Sequence, residues 1–423
     1  GAIISVPRGL YMSGGSLTTL ASMLSVSSGA KWVMGPNGLY SQAAANTPAL
    51  DYLSGSAGMR IEGSATTNYF INSEDPVQNG SKPANVNLTR SAAAALFGAF
   101  YYTHVDYLDG NMTNAYPFGS GGPAQLSVAA GDLVSFMLCV AKKASAPSPL
   151  IGIFGLTSGW GAANDYAVQT LYGAATLTFS GGRFFINNVS DTTFSLVRVT
   201  YRSPVAQTVL PGFYLAAQAA TAGDWLRVGM LQFERGLGSS YIPTGASPVA
   251  RAADIVSLSP SLTALLNAQA STVALRAAWA GNPRPANDVT SQRTVFGSLI
   301  IGRYGRLVGA NGSTQVTAMT GSGAGTVNAV APAATSSIAL CAALSRSEGI
   351  KLAAAQGAIA KLAASDPAFG PMFEGADTSI GWGAAQLASA PPAALLLHEL
   401  VVWPARGSDA GVVAQSRAYT GGA

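Results

Sequence analysis

The chain has 423 residues, of which 48% are hydrophobic and 10% are charged. This length and apolar content are enough for two or three buried cores, which excludes a disordered or collagen-like chain. The 23 Lys and Arg residues form no basic block, so we expect no nucleic-acid binding, which needs clustered cations. No segment reaches the roughly 18–20 apolar residues of a membrane span, so we expect no membrane insertion.

Ala, Gly, Ser and Thr take the place of charged residues in this chain. Such a composition is typical of a neutral surface or of surfaces packed between subunits, where desolvating charge is costly. We therefore expect a homo-oligomer. The cysteines, Cys139 and Cys341, lie far apart in the sequence, and we expect two buried reduced thiols and no disulfide.

The first predicted element is a short helix at residues 16–25, where leucines recur at helical spacing. Residues 133–141 are apolar throughout, which is typical of a central sandwich strand. Residues 194–202 alternate with period two, which predicts a strand with one face in solvent. We expect its core face to carry Val197, Val199 and Tyr201 and its solvent face to carry Arg198, Thr200 and Arg202.

Further strands are predicted at residues 226–233, 271–279 and 395–403, and a short helix at residues 259–268 with Ser259 as its N-cap. Residues 351–364 fit two structures. Their alanine-rich composition favours a helix, whereas a Gln-Gly pair between two similar arms favours a hairpin, and propensity leaves both open. The many short strands with Gly, Pro and Ser turns predict an all-β fold of antiparallel β-sandwiches or jelly rolls.

The segment QFERGLGSSYIPTGASPVARAAD, residues 232–254, is polar and rich in turn residues. Its prolines and glycines prevent regular structure, which predicts an interdomain linker. We expect Tyr241 and Ile242 to pin this linker to the preceding sandwich, and Arg251 with Asp254 to fix the start of the next. Ordering such a linker costs conformational entropy, so we expect the relative position of the two domains to matter.

This linker resembles the QLE-G-TSYIPT-TRAAD junction of bacteriophage head-spike and tail-fibre proteins. There it joins a carbohydrate-binding-module-like jelly roll to a concanavalin A-like lectin domain. Residues 29–76 are similar to a second segment of the same family. The matching positions are Asn37-Gly38-Leu39, Ala43-Ala44-Ala45-Asn46, Pro48, Asp51-Tyr52, Ile61-Glu62-Gly63, Thr67-Asn68 and Asn72-Ser73-Glu74-Asp75.

The resemblance covers about residues 29–423 and implies two tandem antiparallel β-sandwich domains, the second concanavalin A-like, preceded by an N-terminal attachment or oligomerisation segment. We assign residues 1–72 to that segment, 73–250 to the carbohydrate-binding-module-like sandwich and 251–423 to the lectin-like sandwich. Residues 1–28 match nothing in the family and are our candidate for docking onto the virion or for trimer contacts. The family's hairpin before its last strand favours strands at residues 351–364.

The chain also departs from the family pattern. Ser64-Ala65-Thr66 replaces the Arg that usually follows the family's IEGA, and the Trp that commonly follows NSEDF is missing after Asp75-Pro76. We therefore expect the start of the first sandwich to be built differently.

Sugar binding needs flat aromatic faces beside amides or carboxylates on loops. The segment TSGWGAANDYAVQ, residues 157–169, offers this combination, and a Gly-Trp-Gly sequence repeats the theme in the second sandwich. A tryptophan between glycines also fits a loop plug or a subunit contact. The candidate glycan-binding residues are Trp160, Asn164, Asp165, Tyr166 and Trp382, whereas we expect Trp225, Trp279 and Trp403, within strands, to lie in the core.

The acidic residues suggest no catalytic pair. A glycosidase needs two carboxylates about 5–10 Å apart across a cleft, and the sequence places no such pair on one strand face. We therefore predict no enzymatic activity and no cofactor, and we interpret Glu234 and Asp254 as linker salt bridges. We expect His104 and His398, which lie within apolar strand-like runs, to be structural, because no Cys or acidic ligand cluster beyond Asp106 accompanies them.

Residues 104–114, HVDYLDGNMTN, form an oxygen-rich segment of the kind that binds calcium. Asp106, Asp109 and Asn111 supply the oxygens, but the spacing differs from an EF-hand. We favour a solvated turn and predict no metal.

These observations predict a virion protein, a head spike or tail fibre, that forms a homo-oligomer, with a trimer favoured. Its predicted partners are its own copies, other virion proteins and host-surface polysaccharide. Two alternatives stay open: a polysaccharide depolymerase on the same scaffold, and a purely structural capsid decoration.

Overall fold

The computed structural model describes an all-β chain. The described residues are 1–53, 55–63, 65–75, 86–92, 101–108, 125–154, 165–180, 183–214, 220–266, 268–279, 292–297, 305–310, 315–320, 325–330, 337–345, 349–354, 359–361, 379–380, 395–408, 410–412 and 414–415.

The described elements are short strands with a few short helices among them, including helical residues at 410–412 and 414–415. Up to residue 235 they are β1 (Ala2–Ser5), β2 (Leu10–Ser13), β3 (Ser16–Leu17), α1 (Leu20–Met23), β4 (Leu24–Ser27), β5 (Lys31–Met34), β6 (Tyr40–Ala43), β7 (Leu50–Asp51), β8 (Gly58–Ile61), β9 (Thr66–Asn68), β10 (Val86–Ala92), β11 (Tyr101–Tyr107), β12 (Leu126–Val128), β13 (Leu133–Lys142), β14 (Leu150–Phe154), β15 (Tyr166–Tyr172), β16 (Thr176–Ser180), β17 (Arg183–Asn187), β18 (Ser195–Arg202), β19 (Gln207–Tyr214) and β20 (Trp225–Arg235). Beyond it they are β21 (Val249–Arg251), β22 (Ile255–Leu258), α2 (Pro260–Leu266), β23 (Ala270–Trp279), β24 (Gln292–Gly297), β25 (Gly305–Ala310), β26 (Gln315–Thr320), β27 (Gly325–Val330), β28 (Ser337–Ser345), β29 (Gly349–Ala354), β30 (Ile359–Lys361), β31 (Ser379–Ile380) and β32 (Leu395–Trp403).

The jelly-roll unit in the middle of the chain consists of two antiparallel sheets. One has the order β10-β11-β20-β13-β18-β15, and the other β12-β19-β14-β17-β16. A core of buried apolar residues lies between them, to which β13 contributes Val134, Phe136, Leu138 and Val140. These are alternate residues, as expected for the inward face of a strand.

The C-terminal unit also consists of two antiparallel sheets. One contains β23, β28, β29, β30 and β32, and the other has the order β27-β26-β25-β24-β31-β22-β4. Val273, Leu275, Leu397 and Leu400 contribute to its core. Two tandem antiparallel sandwiches confirm the predicted fold class.

The N-terminal residues belong to this C-terminal unit. β1 pairs with β32 through Ala2↔Val402 to Ser5↔Glu399, β8 pairs with the beginning of β32, and β4 pairs with β22. Ile4 and Ile61 are fully buried in the same core as Leu400. The structure thus corrects the expectation of a separate region at residues 1–72, because strands from this region complete both sheets of the sandwich assigned to residues 251–423.

The outer face of the larger jelly-roll sheet is partly covered. The β5–β6 hairpin places Trp32, Met34 and Tyr40 against Met137 and Cys139 of β13. β13 is therefore buried on both faces, as predicted from its apolar sequence.

The same cover changes the surroundings of β18. Arg198 and Thr200 are 1% and 0% exposed, so the prediction that this face lies in solvent is wrong. Alternation along β18 is real, since Val197, Val199 and Tyr201 do face the core. The second face is buried because distant segments pack on it.

Several local predictions are confirmed. Strands occur at 226–233, 271–279 and 395–403, and the described part of residues 351–364 belongs to β29 and β30, which pair antiparallel from Lys351↔Lys361 to Ala353↔Ile359. Ser259 precedes α2, and its Oγ accepts a hydrogen bond from the N–H of Leu262 at 3.4 Å. The helix predicted at 16–25 is shorter than expected, because only Leu20–Met23 is helical. Cys139 and Cys341 are both buried and free.

No helix among the described residues is long and apolar enough to cross a membrane.

Candidate functional site

The predicted glycan-binding residues fall in two groups. Trp160, Asn164 and Trp382 lie outside the described residues, so their roles stay predictions. Asp165 is buried immediately before β15. The ring of Tyr166 packs edge-on against Phe184, with centroids 4.6 Å apart, and burial raises the pKa of its phenol. Tyr166 is thus a half-buried part of an aromatic cluster at the edge of the jelly-roll core.

The candidate calcium segment is described only in part. Asp106 lies on β11 and accepts a hydrogen bond from a ring nitrogen of His104 at 2.8 Å, whereas Asp109 and Asn111 lie outside the described residues. Within the described ranges, no three His, Cys, Asp or Glu side chains lie close enough together to hold a metal ion.

The linker predicted at residues 232–254 is ordered. Tyr241 and Ile242 are 2% and 5% exposed, which confirms that they pin it. The Tyr241 hydroxyl lies 2.8 Å from the Oγ of Ser73, and the amide of Asn68 donates to the carbonyl of Ile242 at 2.8 Å. The two segments that carry the family resemblance are therefore in direct contact.

Charged side chains of these two segments and their neighbours form a buried network. Its four cations and four carboxylates balance in charge: Lys31, Arg60, Arg198 and Arg251 with Asp51, Glu62, Glu234 and Asp254. Their burial is tolerable because most of their polar atoms are hydrogen-bonded or ion-paired, which offsets the cost of desolvation.

Glu62 lies at the centre of this network. Its carboxylate accepts from the Nε of Arg60 at 2.6 Å and from the N–H of Ser240 at 2.8 Å, and it lies 3.5 Å from the Nη2 of Arg251. Burial alone would raise the pKa of Glu62, but the guanidinium groups of Arg60 and Arg251 lower it well below its usual range. Glu62 is therefore a structural anion.

Asp254 and Glu234 differ in their partners. Asp254 forms an ion pair with Lys31 and accepts the N–H of Glu62, which confirms its interpretation as a linker salt bridge. The carboxylate of Glu234 instead accepts hydrogen bonds from Gln232, Ser239 and Thr66, between 2.6 and 2.9 Å. No ion pair of Glu234 occurs among the described residues.

The less buried part of the same jelly-roll sheet carries a different set of side chains. On β10, β11 and β20, residues paired across the strands share one face in three rows: Asn87, Asp106 and Trp225; Thr89, His104 and Arg227; Ser91, Tyr102 and Gly229. We call Tyr102, His104, Asp106, Trp225 and Arg227 the sheet-face cluster. Val105, Leu226 and Val228 point the other way, into the core.

Hydrogen bonds align the middle of this cluster. The Nε of Arg227 donates to the Nδ1 of His104 at 3.3 Å, and the Nε2 of His104 lies 2.8 Å from Asp106. Since Nδ1 accepts, Nε2 carries the proton and donates to the Asp106 carboxylate. Both ring nitrogens are occupied, so His104 has no nitrogen left to act as a base toward a nucleophile.

Aromatic rings support the same guanidinium. The Cζ of Arg227 lies 4.4 Å from the ring centroid of Trp225 and 5.8 Å from that of Tyr102. The ring of His104 stacks with that of Trp225 at 6.0 Å. Such contacts with aromatic faces hold a guanidinium in place.

The cluster bears on two expectations. Trp225, predicted in the core, is half-buried and packs against a buried apolar cluster. His104 has a side chain that is 21% exposed, and both of its ring nitrogens are hydrogen-bonded within the protein, which agrees with its interpretation as structural. The sequence did contain a signal, because YYTHVDY places Tyr, His and Asp at alternate positions around an apolar Val. His398 is 5% exposed and its Nδ1 lies 3.0 Å from the carbonyl of Ala57, as expected for a structural imidazole.

No family model and no curated protein matches the chain. Among solved structures, it is similar to domains LG4–5 of the mouse laminin α1 chain, at 12% identity, over 76% of this chain and 92% of that chain. The TM-score is 0.23, which is too low to support an argument about fold or function.

Proposed function

We propose that this protein is a bacteriophage virion component, a head spike or tail fibre, that binds host-surface polysaccharide without cleaving it. The virion role rests on the resemblance of the two motif segments. The sheet-face cluster is the observation that favours glycan binding, because it combines aromatic rings, a carboxylate, a guanidinium and a hydroxyl on one half-buried sheet face.

The dimensions and chemistry of this face suit a short stretch of sugar. Neighbouring strands are about 4.8 Å apart and alternate residues about 7 Å apart, so the three rows cover an area on the scale of a di- or trisaccharide. Asn87 and Thr89 are exposed beside the cluster on the edge strand β10. Their amide and hydroxyl groups are donors and acceptors for sugar hydroxyls, and the rings offer apolar surface to C–H groups.

Binding of the intact protein to purified host capsular and lipopolysaccharide glycans tests this function. We expect wild-type protein to bind and Trp225→Ala to bind about tenfold more weakly, as for an aromatic contact at the centre of an interface. Tyr172→Ala is the matched control, because Tyr172 is 36% exposed on the other edge strand of the same sheet. If the wild type bound none of these glycans, the result would favour a purely structural capsid decoration instead.

A reducing-sugar assay on the same glycans separates a binder from a depolymerase. We expect no release of reducing ends, since the described cluster holds one carboxylate, Asp106, and glycoside hydrolysis uses a pair. Release by the wild type would overturn the non-enzymatic proposal.

We further propose that the protein is a homotrimer. The low charge of the chain supports this, and so does the exposed β3 edge, where Leu17 is 75% exposed. Multi-angle light scattering at micromolar concentration is expected to give three times the 42.8 kDa chain mass, and a monomer would contradict the proposal.

A further inference from the structure

We propose that the sheet-face cluster recognises an acidic sugar, whose carboxylate pairs with the guanidinium of Arg227 while a neighbouring sugar hydroxyl donates to Asp106. This inference rests on the proposed glycan binding and adds the class of glycan.

Most N–H donors of the Arg227 guanidinium have no acceptor among the described residues. Its Nε donates to His104, and no residue in the described part of the chain accepts a hydrogen bond from its Nη1 or Nη2. Arginine has five N–H donors in a fixed planar arrangement, so four of those of Arg227 have no acceptor among the described residues. A half-buried cation with an unused planar fork is suited to a carboxylate, which accepts two parallel hydrogen bonds.

Three neighbours hold this fork in a fixed orientation. The guanidinium carbon lies 4.4 Å from the ring centroid of Trp225 and 5.8 Å from that of Tyr102, and the Nδ1 of His104 accepts a hydrogen bond from Nε. The Nε2 of His104 is in turn fixed by Asp106. Because these contacts restrict the arginine before a ligand arrives, less conformational entropy is lost on binding.

Asp106 carries the opposite charge, and its role has to agree with an anionic ligand. One of its oxygens accepts from His104, and its side chain is 50% exposed. Water screens much of its repulsion toward a carboxylate on Arg227. Its second oxygen accepts hydrogen bonds, so a hydroxyl of the same or the next sugar is its natural partner.

Other nearby charges add little. Arg90 lies over the Tyr101 ring at 3.7 Å and pairs with Glu74 at 3.6 Å. Lys143 lies 3.7 Å from the buried Asp224. Both cations therefore have a carboxylate partner of their own, and among the described residues of this face Arg227 is the cation that pairs with no carboxylate.

The test uses the intact protein and oligosaccharides that contain glucuronic, galacturonic or N-acetylneuraminic acid, each paired with its carboxyl-reduced neutral counterpart. We expect wild-type protein to bind at least one acidic oligosaccharide at least tenfold more tightly than its neutral counterpart. Arg227→Gln should remove this preference. Arg227→Lys should keep only a small part of it, since an ammonium group cannot donate the two parallel bonds.

The outcomes separate the two proposals. Equal binding of acidic and neutral sugars, or full acid preference in Arg227→Lys, would overturn the acidic-sugar inference and leave glycan binding intact. Absence of binding to every sugar would overturn both.

His104→Asn tests whether His104 positions Arg227. We expect weaker binding of the acidic sugar with unchanged binding of the neutral one, and equal losses for both sugars would contradict the proposed role of His104. Circular dichroism and the thermal midpoint of each variant check that it is folded.

Discussion

The ammonium group of Lys31, on β5, forms an ion pair with the carboxylate of Asp254, at the start of the C-terminal sandwich, and the two side chains are 1% and 0% exposed. Asp254 also accepts the N–H of Glu62. This buried pair therefore joins the hairpin that covers the jelly roll to the first residues of the next sandwich.

Replacing one member of this pair is expected to leave an unpaired buried charge. We expect Lys31→Met to lower the free energy of unfolding by about 3–5 kcal/mol, measured by urea denaturation. Arg8→Met is the control, because Arg8 is 75% exposed and lies 3.9 Å from Glu399, and its loss should cost about 0–1 kcal/mol. Similar losses in both variants would show that burial of the pair has no energetic weight.

Glu62 is expected to make stability depend on pH. The pKa of Glu62 is depressed in the folded state. Its contribution to the free energy of unfolding is therefore complete above the unfolded-state pKa near 4 and is lost as the pH falls toward the folded-state pKa. The stability difference between wild type and Glu62→Gln should therefore shrink between pH 7 and pH 3, by up to about 1.4 kcal/mol per pH unit below pH 4. Urea unfolding at both pH values measures it.

Ser73→Ala is the matched control for this pH dependence. Ser73 bonds to Tyr241 and Thr244 in the same junction, and none of these groups titrates between pH 3 and pH 7. The loss in free energy of unfolding caused by Ser73→Ala should therefore be the same at pH 7 and pH 3. A Glu62→Gln difference that is equally constant would contradict the role assigned to Glu62.

Gly238 is expected to tolerate no side chain. Its φ is +89°, and a Cβ would lie 2.6 Å from the Nε of the buried Arg198. Gly236 has a similar φ of +97° but open space around it. We expect Gly236→Ala to cost about 1–2 kcal/mol from backbone strain, and Gly238→Ala to cost about 1–3 kcal/mol more from the clash. Chemical denaturation of the two variants compares them directly, and equal costs would contradict the clash.

The N-terminal strand is expected to stabilise the C-terminal sandwich. Ile4 is fully buried in the core of that sandwich, whereas Ile3 on the same strand is half-buried on the other face. Ile4→Ala should cost about 2–5 kcal/mol and Ile3→Ala clearly less, measured by thermal and urea unfolding. An Ile4→Ala variant as stable as the wild type would indicate that β1 is dispensable for the fold.

The two thiols are expected to be unreactive in the native protein. Burial raises the pKa of Cys341 to about 12 and that of Cys139 well above its ordinary value, and thiolate is the reactive form. Ellman's reagent should therefore release little chromophore from native protein and two equivalents per chain in guanidinium chloride. Fast reaction of one thiol under native conditions would contradict its burial.

Local pattern was sufficient to locate many elements. The apolar run at 133–141 and the strands at 226–233 and 395–403 are where the sequence predicted them, because alternation and apolar content reflect the two faces of a strand. The linker was predictable for a related reason. Its prolines and glycines exclude regular structure, while Tyr241 and Ile242 stand out as apolar residues that need a buried site.

The candidate site was less predictable. The residues singled out on loops by composition, such as Trp160 and Trp382, lie outside the described residues, and Tyr166 packs among other aromatic rings. The sheet-face cluster depends on the register of two strands, β11 and β20, which brings His104 opposite Arg227 and Asp106 opposite Trp225. Residues more than a hundred positions apart in the chain acquire such neighbours only when the strands pair.

The sequence by itself determined where strands form, which of their residues face a core, and that an ordered linker lies near residue 240, since these features depend on periodicity and local backbone chemistry. Only the tertiary structure decided that β1, β4 and β8 complete the C-terminal sandwich, that Arg198 is buried, and that Trp225 is half-buried. The physical reason is that burial of a second strand face depends on which distant segment packs on it, and no local pattern specifies that partner.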